Sequence, residues 1–334
     1  MNQKESLSRY WKDKKVLITG GVGMIGSYLT ELVVQAGAKV SAADNLERGE
    51  LQFIKPIVKE VQFHKVDLRD AENCKRVVKK QDVVLNLAAK VTGIEYNRTH
   101  QKEMFEANML LQQNMIHAAA HAGVGRFLQV STACIYPHDA LVPTPESEGL
   151  RGAPEPTNGG YGWAKRMGER LAEYYTKETD MACVIVRPFN AYGPRDNFDQ
   201  EKSHVIPALI KKIKDGLDPV PVWGSGDQKR VFVHCRDIAR AMMLVTEKAP
   251  PADAVNIGHD QMITIKTLFE TLCRVLSKHP KPFFDTSMPE GYPERAASVE
   301  KLRRITGFVP ETSLEDGVRE IIEWYERRGK QKRK

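Results

Sequence analysis

The 334-residue chain has no apolar stretch long enough to cross a bilayer, and its opening residues, MNQKESLSRYWKDKK, lack the apolar core of a secretory leader. Neither a membrane nor a secreted protein is expected from such a chain, and a cytoplasmic one is. Cysteine is also sparse. The five residues Cys74, Cys134, Cys183, Cys235 and Cys273 form no CxxC pair. An odd, scattered set suggests neither a disulfide framework nor a zinc site, so no metal is expected and at least one thiol is free for other chemistry. Aromatic residues are only 7% of the chain and do not interleave with basic ones. The net charge of +7 therefore does not read as a nucleic-acid surface. The densest basic run, RRGKQKRK, reads as a solvated tail over 328–334, and basic residues elsewhere would suit an anionic small molecule. What remains, 41% hydrophobic and 28% charged, is the balance of a globular enzyme.

From Lys14 to about Pro188, short β-rich runs alternate with longer amphipathic ones. KKVLITG, KVSAAD, VQFHKVD, DVVLNLAA, RFLQVST and MACVIVRP predict strands, while Met24 to Ala36, Glu103 to Ala122 and Tyr161 to Thr179 carry apolar residues at helical spacing. The alternation predicts an α/β fold with a Rossmann-type, doubly wound parallel sheet whose ligands bind beyond the carboxyl ends of the strands. After Pro188, Gly- and Pro-rich stretches mixed with shorter elements predict a smaller, mixed α/β lobe. The expected division is a dinucleotide-binding domain over 1–188 and a mainly substrate-binding lobe over 189–327, some of whose segments can return to the first domain.

The first strand runs directly into GGVGMIG, with Gly20, Gly23 and Gly26 at i, i+3 and i+6 and a helix opening at Met24 and Ile25. Glycine lets the backbone approach a pyrophosphate, and the helix N-terminus aims N–H groups at it. Asp44, with Asn45, ends the second strand about twenty residues further on, where a carboxylate accepts hydrogen bonds from an adenosine ribose and repels a 2′-phosphate. NAD is therefore expected rather than NADP, with Arg48 the nearby cation that could favour the latter. Asp67, followed by Leu68, reads either as an adenine contact or as a strand-end turn cap.

YGWAK places Tyr161 and Lys165 at i and i+4 on one helix face. A phenol is a useful base near neutrality only if a nearby cation stabilises the phenolate. Together with the glycine loop, NLAA at Asn86 to Ala89 (Leu87, Ala88, Ala89) and Asn108, this pair resembles the extended short-chain dehydrogenase/reductase family over nearly the whole chain. The resemblance implies that Tyr161 takes a proton from a substrate hydroxyl and that Thr132 holds the reacting oxygen. It also makes the glycine loop, Leu87, Ala88, Ala89 and Asn108 part of the cofactor site. CIYP at Cys134, LAAKV at Leu87, EPTNGGYGWAK, YGPRDNFDQEKSHVIPAL at Tyr192 and VWGSG at Val222 narrow the resemblance to the GDP-L-fucose synthase and GDP-mannose 3,5-epimerase branches. That implies Cys134 and His204 as an acid–base pair beside a 4-keto group, whose neighbouring hydrogens are acidic.

Two departures qualify it. Asp44 has no counterpart in the NADPH-using reductase branch, and Ala133 and Cys134 stand where dehydratases of the family carry Asp-Glu. In the later lobe the resemblance implies Asn190, Arg230 and Arg295 around a diphosphate and Val205 with Trp223 around a nucleobase, guanine favoured. It also implies a homodimer through the helices at Glu103 to Ala122 and Tyr161 to Thr179. The expected activity is an NAD-dependent nucleotide-sugar epimerase working through a transient 4-keto sugar. The alternatives are an epimerase-reductase, a simple 4-epimerase and a 4-dehydrogenase.

Overall fold

The computed structural model describes residues 9–199, 203–288, 291–308 and 310–332. Six strands form where the alternating pattern places them: β1 (Lys15–Thr19), β2 (Lys39–Asp44), β3 (Val61–Lys65), β4 (Val83–Asn86), β5 (Arg126–Val130) and β6 (Ala182–Pro188). A seventh, β7 (Ala254–Ile257), pairs in parallel with β6 and completes a sheet of order β7-β6-β5-β4-β1-β2-β3. Every pairing in this sheet is parallel. The order reverses between β1 and β4, which opens a crevice beyond their carboxyl ends.

Strand residues alternate between two apolar layers. Val16, Ile18, Val40, Ala42, Leu85 and Val184 pack against α1 (Met24–Gln35), while Leu17, Ala43, Val84, Phe127 and Ile185 pack against residues of α2 (Gln101–His121) and α3 (Gly159–Glu178). Both faces are dry, so the strands read as continuous apolar runs rather than as half-polar ones.

The later half of the chain is divided between a second lobe and the large sheet. Helices α4 (Val205–Lys214), α6 (Ile265–Leu276) and α7 (Leu314–Lys332) bury Ile210, Leu268, Leu272, Val318 and Ile321 in a separate core with Val220 and Val222. By contrast, α5 (Cys235–Lys248) packs its Ile238, Met242 and Val245 with α1 against the large sheet, and β7 follows it. Residues 235–257 thus complete the dinucleotide-type fold after the chain has already entered the second lobe. The basic run begins inside a helix. Helix α7 extends through Lys332, and Arg328 pairs with Glu50; residues 333 and 334 lie outside the described residues. Aromatic contacts of Trp324 with Phe53 and Phe198 dock this helix end on both lobes, which a basic composition by itself does not reveal. No helix among the described residues is long and apolar enough to cross a membrane.

Candidate active site

One cavity of about 1790 Å³ runs from the glycine loop to the second lobe. At its inner end, Gly20 turns with φ +65°, and a Cβ on Gly26 would stand 2.0 Å from the Gly20 carbonyl oxygen. Helix α1 begins at once, with Gly23 as an N-cap that has no side-chain hydrogen bond and no acidic residue in the first turn. The loop is therefore a cradle of bare backbone against a positive helix end, which fits a dinucleotide pyrophosphate. Thr19 ties it down by donating to Asn86 Oδ1 (2.8 Å) and accepting from the Ala88 N–H (3.0 Å). An added methyl at Gly26 meets backbone, which cannot give way as a side-chain tip can. Gly26→Ala should therefore weaken dinucleotide binding at least a hundredfold and cost about 1–3 kcal/mol of stability, as overpacking does. Calorimetric titration with NAD checks this, and unchanged affinity would remove the loop from the cofactor site.

Met24, Ile25, Leu68, Leu87, Ala88 and Ala89 line the same cavity, with Asp44, Asn45 and Asp67 at the strand ends. Asp44 accepts the Leu46 N–H (2.9 Å), and its burial raises its pKa. Arg48 does not turn back to it. Its guanidinium donates to the Val91 carbonyl and faces Asp196. The Asp67 carboxylate receives the Arg69 side chain and the Arg69 N–H (2.9 Å), the geometry of a strand-end cap. Asn108 lies on α2, beside the segment after β4. It is fully buried and absent from the cavity wall, with its amide spent on the Lys90 N–H, the Lys90 carbonyl and the Met104 carbonyl. It braces the segment after β4, whose Lys90 lines the cavity.

Thr132 follows β5 and caps the short turn Ala133–Ile135, accepting the Cys134 N–H at 3.2 Å. Its hydroxyl also lies near enough to the Tyr161 phenol to favour the phenolate. Lys165 lies one helical turn further along α3. Its Nζ sits 5.8 Å from the Tyr161 ring centre and donates to the Val130 carbonyl at 2.9 Å. The electrostatics depart from the simple expectation of a lysine-lowered phenol. Burial is the larger effect and holds the Tyr161 pKa above its ordinary value, opposed by the Thr132 hydroxyl and the Arg48 charge. Burial also pushes the Lys165 ammonium down to about 8. Gly162, between the two, is required by packing, since a Cβ there would stand 2.6 Å from the Cys134 carbonyl oxygen.

Cys134 is half-buried at the cavity wall, against the Arg295 guanidinium. Arg295 lies over the Tyr292 ring at 5.0 Å, and its buried Nη2 has no partner. Arg295 and Arg230 are register partners on adjacent parallel strands, and both line the cavity. Guanidinium groups lining a cavity suit an anionic ligand. Asn190 donates to the Val231 carbonyl (2.8 Å), which leaves its amide oxygen at the cavity. Val205 and Trp223 stand further along the same wall.

His204 is the N-cap residue of α4, and its Nδ1 is 3.3 Å from Oδ2 of buried Asp196. Asp196 raises the His204 pKa, opposed by burial and by Arg48. Arg195 pins this loop to α1 by donating to Glu31 at 2.8 Å. Sequence reading singles out neither Asp196 nor Lys212, whose Nζ reaches the Pro221 carbonyl at 2.8 Å, and takes Arg48 only as a cation near the cofactor ribose. The available signal was their place inside, or one turn beyond, the segments that carry the resemblance.

Residues 16–258 match the model of the NAD dependent epimerase/dehydratase family. The chain is 33% identical to a GDP-L-fucose synthase of Escherichia coli (strain K12) over 93% of this chain and 96% of that protein. Among solved structures, it matches an epimerase of Methanothermobacter thermautotrophicus with a TM-score of 0.90 and 25% identity, covering 99% of this chain and 98% of that one. It also matches a dTDP-glucose 4,6-dehydratase of Streptomyces venezuelae with NAD bound, with a TM-score of 0.83 and 26% identity over 94% and 98%.

Proposed function

The chain belongs to the NAD dependent epimerase/dehydratase family and is an enzyme, and on that premise we propose that it epimerises a nucleotide sugar, GDP-linked, through a transient 4-keto intermediate. The observation that carries this reading is the shared cavity. Cys134 and His204 line the same cavity as Thr132, Tyr161 and Lys165, where a ketone at carbon 4 would acidify the hydrogens of carbons 3 and 5. Tyr161 takes the proton of the sugar 4-hydroxyl while Thr132 holds that oxygen, and Lys165 supplies the local positive charge. Bound NAD would accept a hydride from carbon 4 and return it. Cys134 and His204 then move protons at the neighbouring carbons, and Arg230 with Arg295 holds the diphosphate.

Asp44 at the end of β2, with Arg48 turned toward Asp196, supports NAD over NADP. The GDP preference rests on the relatedness to GDP-L-fucose synthases. The same relatedness supports the second reading, an epimerase-reductase that consumes external reductant. Residues 189–327 form the main substrate lobe in this proposal, the protein is cytoplasmic, and the exposed apolar residues Phe105, Leu110, Trp163 and Tyr174 on α2 and α3 pair two copies as a homodimer.

The test is incubation with GDP-mannose and other GDP- and UDP-sugars in deuterium oxide without added cofactor. Deuterium at carbon 3 or 5 is expected, and Cys134→Ser should reduce its entry at least about a hundredfold while sparing NAD binding. Inversion at carbon 4 without deuterium would replace the proposal by a simple 4-epimerase. Turnover only with added NADPH would establish the reductase reading.

A further inference from the structure

The Asp196–His204 pair lies outside the Thr132–Tyr161–Lys165 group, and its geometry is specific. Oδ2 of Asp196 faces His204 Nδ1 at 3.3 Å. Oδ1 accepts the Asn197 N–H at 2.7 Å and stands 3.9 Å from the Arg48 guanidinium. The carboxylate side chain is 3% exposed and the imidazole 38% exposed, so the ring has one edge against a buried anion and the other open to the cavity. Among the described residues, the charged groups acting on the ring are Asp196 and Arg48. Arg48 comes from the loop after β2, four residues past Asp44, and the pair therefore joins the cofactor side of the cavity to the start of α4.

We infer that Asp196 is the positioning residue of the proton-transfer histidine: it keeps the Nδ1 proton of His204 in place, so that Nε2 alone exchanges a proton with substrate. A neutral imidazole carries one N–H and one acceptor nitrogen, and a carboxylate on Nδ1 selects the tautomer with Nε2 free. When the ring accepts, the substrate C–H bond breaks, its electron pair delocalises into the 4-keto group, and Nε2 takes the proton. When it donates, the Nε2–H bond breaks, the carbon regains its proton, and Nδ1–H stays on Asp196 in both directions. Arg48 keeps the carboxylate aligned from the far side. Without Asp196, the ring would divide between two tautomers and could rotate, so a fraction of molecules would present an N–H where an acceptor is needed.

The inference rests on the proposed acid–base use of His204, and its test separates the two. Nitrogen-15 correlation spectra of the substrate-free protein, with the His204 signals assigned by loss in His204→Gln, report tautomer and titration directly. The neutral ring should carry its proton on Nδ1. In Asp196→Asn the titration should move to lower pH, because the anion that raises it is gone. With substrate, deuterium entry at carbons 3 and 5 should fall at least about tenfold through kcat, with KM and NAD affinity unchanged. A wild-type ring protonated mainly on Nε2, or an Asp196→Asn protein with unaltered titration and exchange, would overturn the inference. The wild-type spectrum decides the question even if that variant does not fold. An Nδ1-protonated ring in an enzyme that exchanges no proton with any sugar would uphold the positioning while refuting the proposed reaction.

Discussion

Lys165→Met should lower turnover by about a thousandfold and at the same time raise the melting temperature at neutral pH. Lys165 is 1% exposed, and its ammonium donates to the Val130 carbonyl. Glu169, one turn along α3, favours the charge but is itself held by Arg187. Burial consequently depresses the lysine from 10.5 to about 8. The folded state binds fewer protons than the unfolded one between those values, so stability gains with rising pH across that window and carries the full penalty below it. A shift of this size corresponds to about 3 kcal/mol. Methionine keeps most of the volume without the charge. The stability difference between variant and wild type should therefore shrink as pH climbs from about 8 to 10.5, as measured by thermal unfolding across pH. Wild-type activity should decline above pH 8 as the ammonium is lost. A lower melting temperature for the variant at pH 7 would mean that the contacts around Nζ outweigh burial, and activity within tenfold of wild type would remove Lys165 from the reaction.

The second large effect is on stability. Arg187→Met should cost about 3–5 kcal/mol, enough to unfold a large share of the molecules at physiological temperature. Arg187 grips Glu169 through two hydrogen bonds of 2.9 and 2.8 Å, and both side chains are almost inaccessible. Its remaining nitrogen donates to the Tyr136 hydroxyl (2.9 Å) and the Glu146 carbonyl (2.7 Å). Tyr136 in turn donates to Asn256 Oδ1 at 2.6 Å. One guanidinium therefore ties α3, β6, the segment after β5, and β7 together. Removing it alone leaves a buried carboxylate without its partner, which is costlier than removing both charges. Glu169→Met/Arg187→Met should recover most of the loss in urea unfolding, and a double variant no better than the single one would contradict the argument. In Arg187→Met, Glu169 is also released to pair with Lys165, so the alkaline decline in activity should move to higher pH.

The parts of the site that the chain announced are local. Gly20, Gly23 and Gly26 lie within a single turn of chain, and Tyr161 and Lys165 share a helix face by spacing alone. Neither depends on how distant segments meet. The six strands of the first half were legible for the same reason, since apolar runs bounded by turn residues carry their own signal. The seventh was not. AVNI is four residues long, and only its pairing with β6 makes it a strand of the sheet.

Residue types and repeat distances along one segment are set by covalent geometry and the hydrophobic pattern, so the sequence by itself determined the parallel sheet, the glycine loop and the Tyr-Lys pair. Tertiary structure decided what no local period encodes. It set Arg295 against Cys134, brought Arg48 to Asp196, spent the Asn108 amide on backbone groups of Lys90 and Met104 and paired Arg328 with Glu50. Each depends on which buried charge or amide finds a partner from another segment. A polar group deprived of water takes the partner that packing brings within reach, and that partner is fixed only when the whole chain has closed.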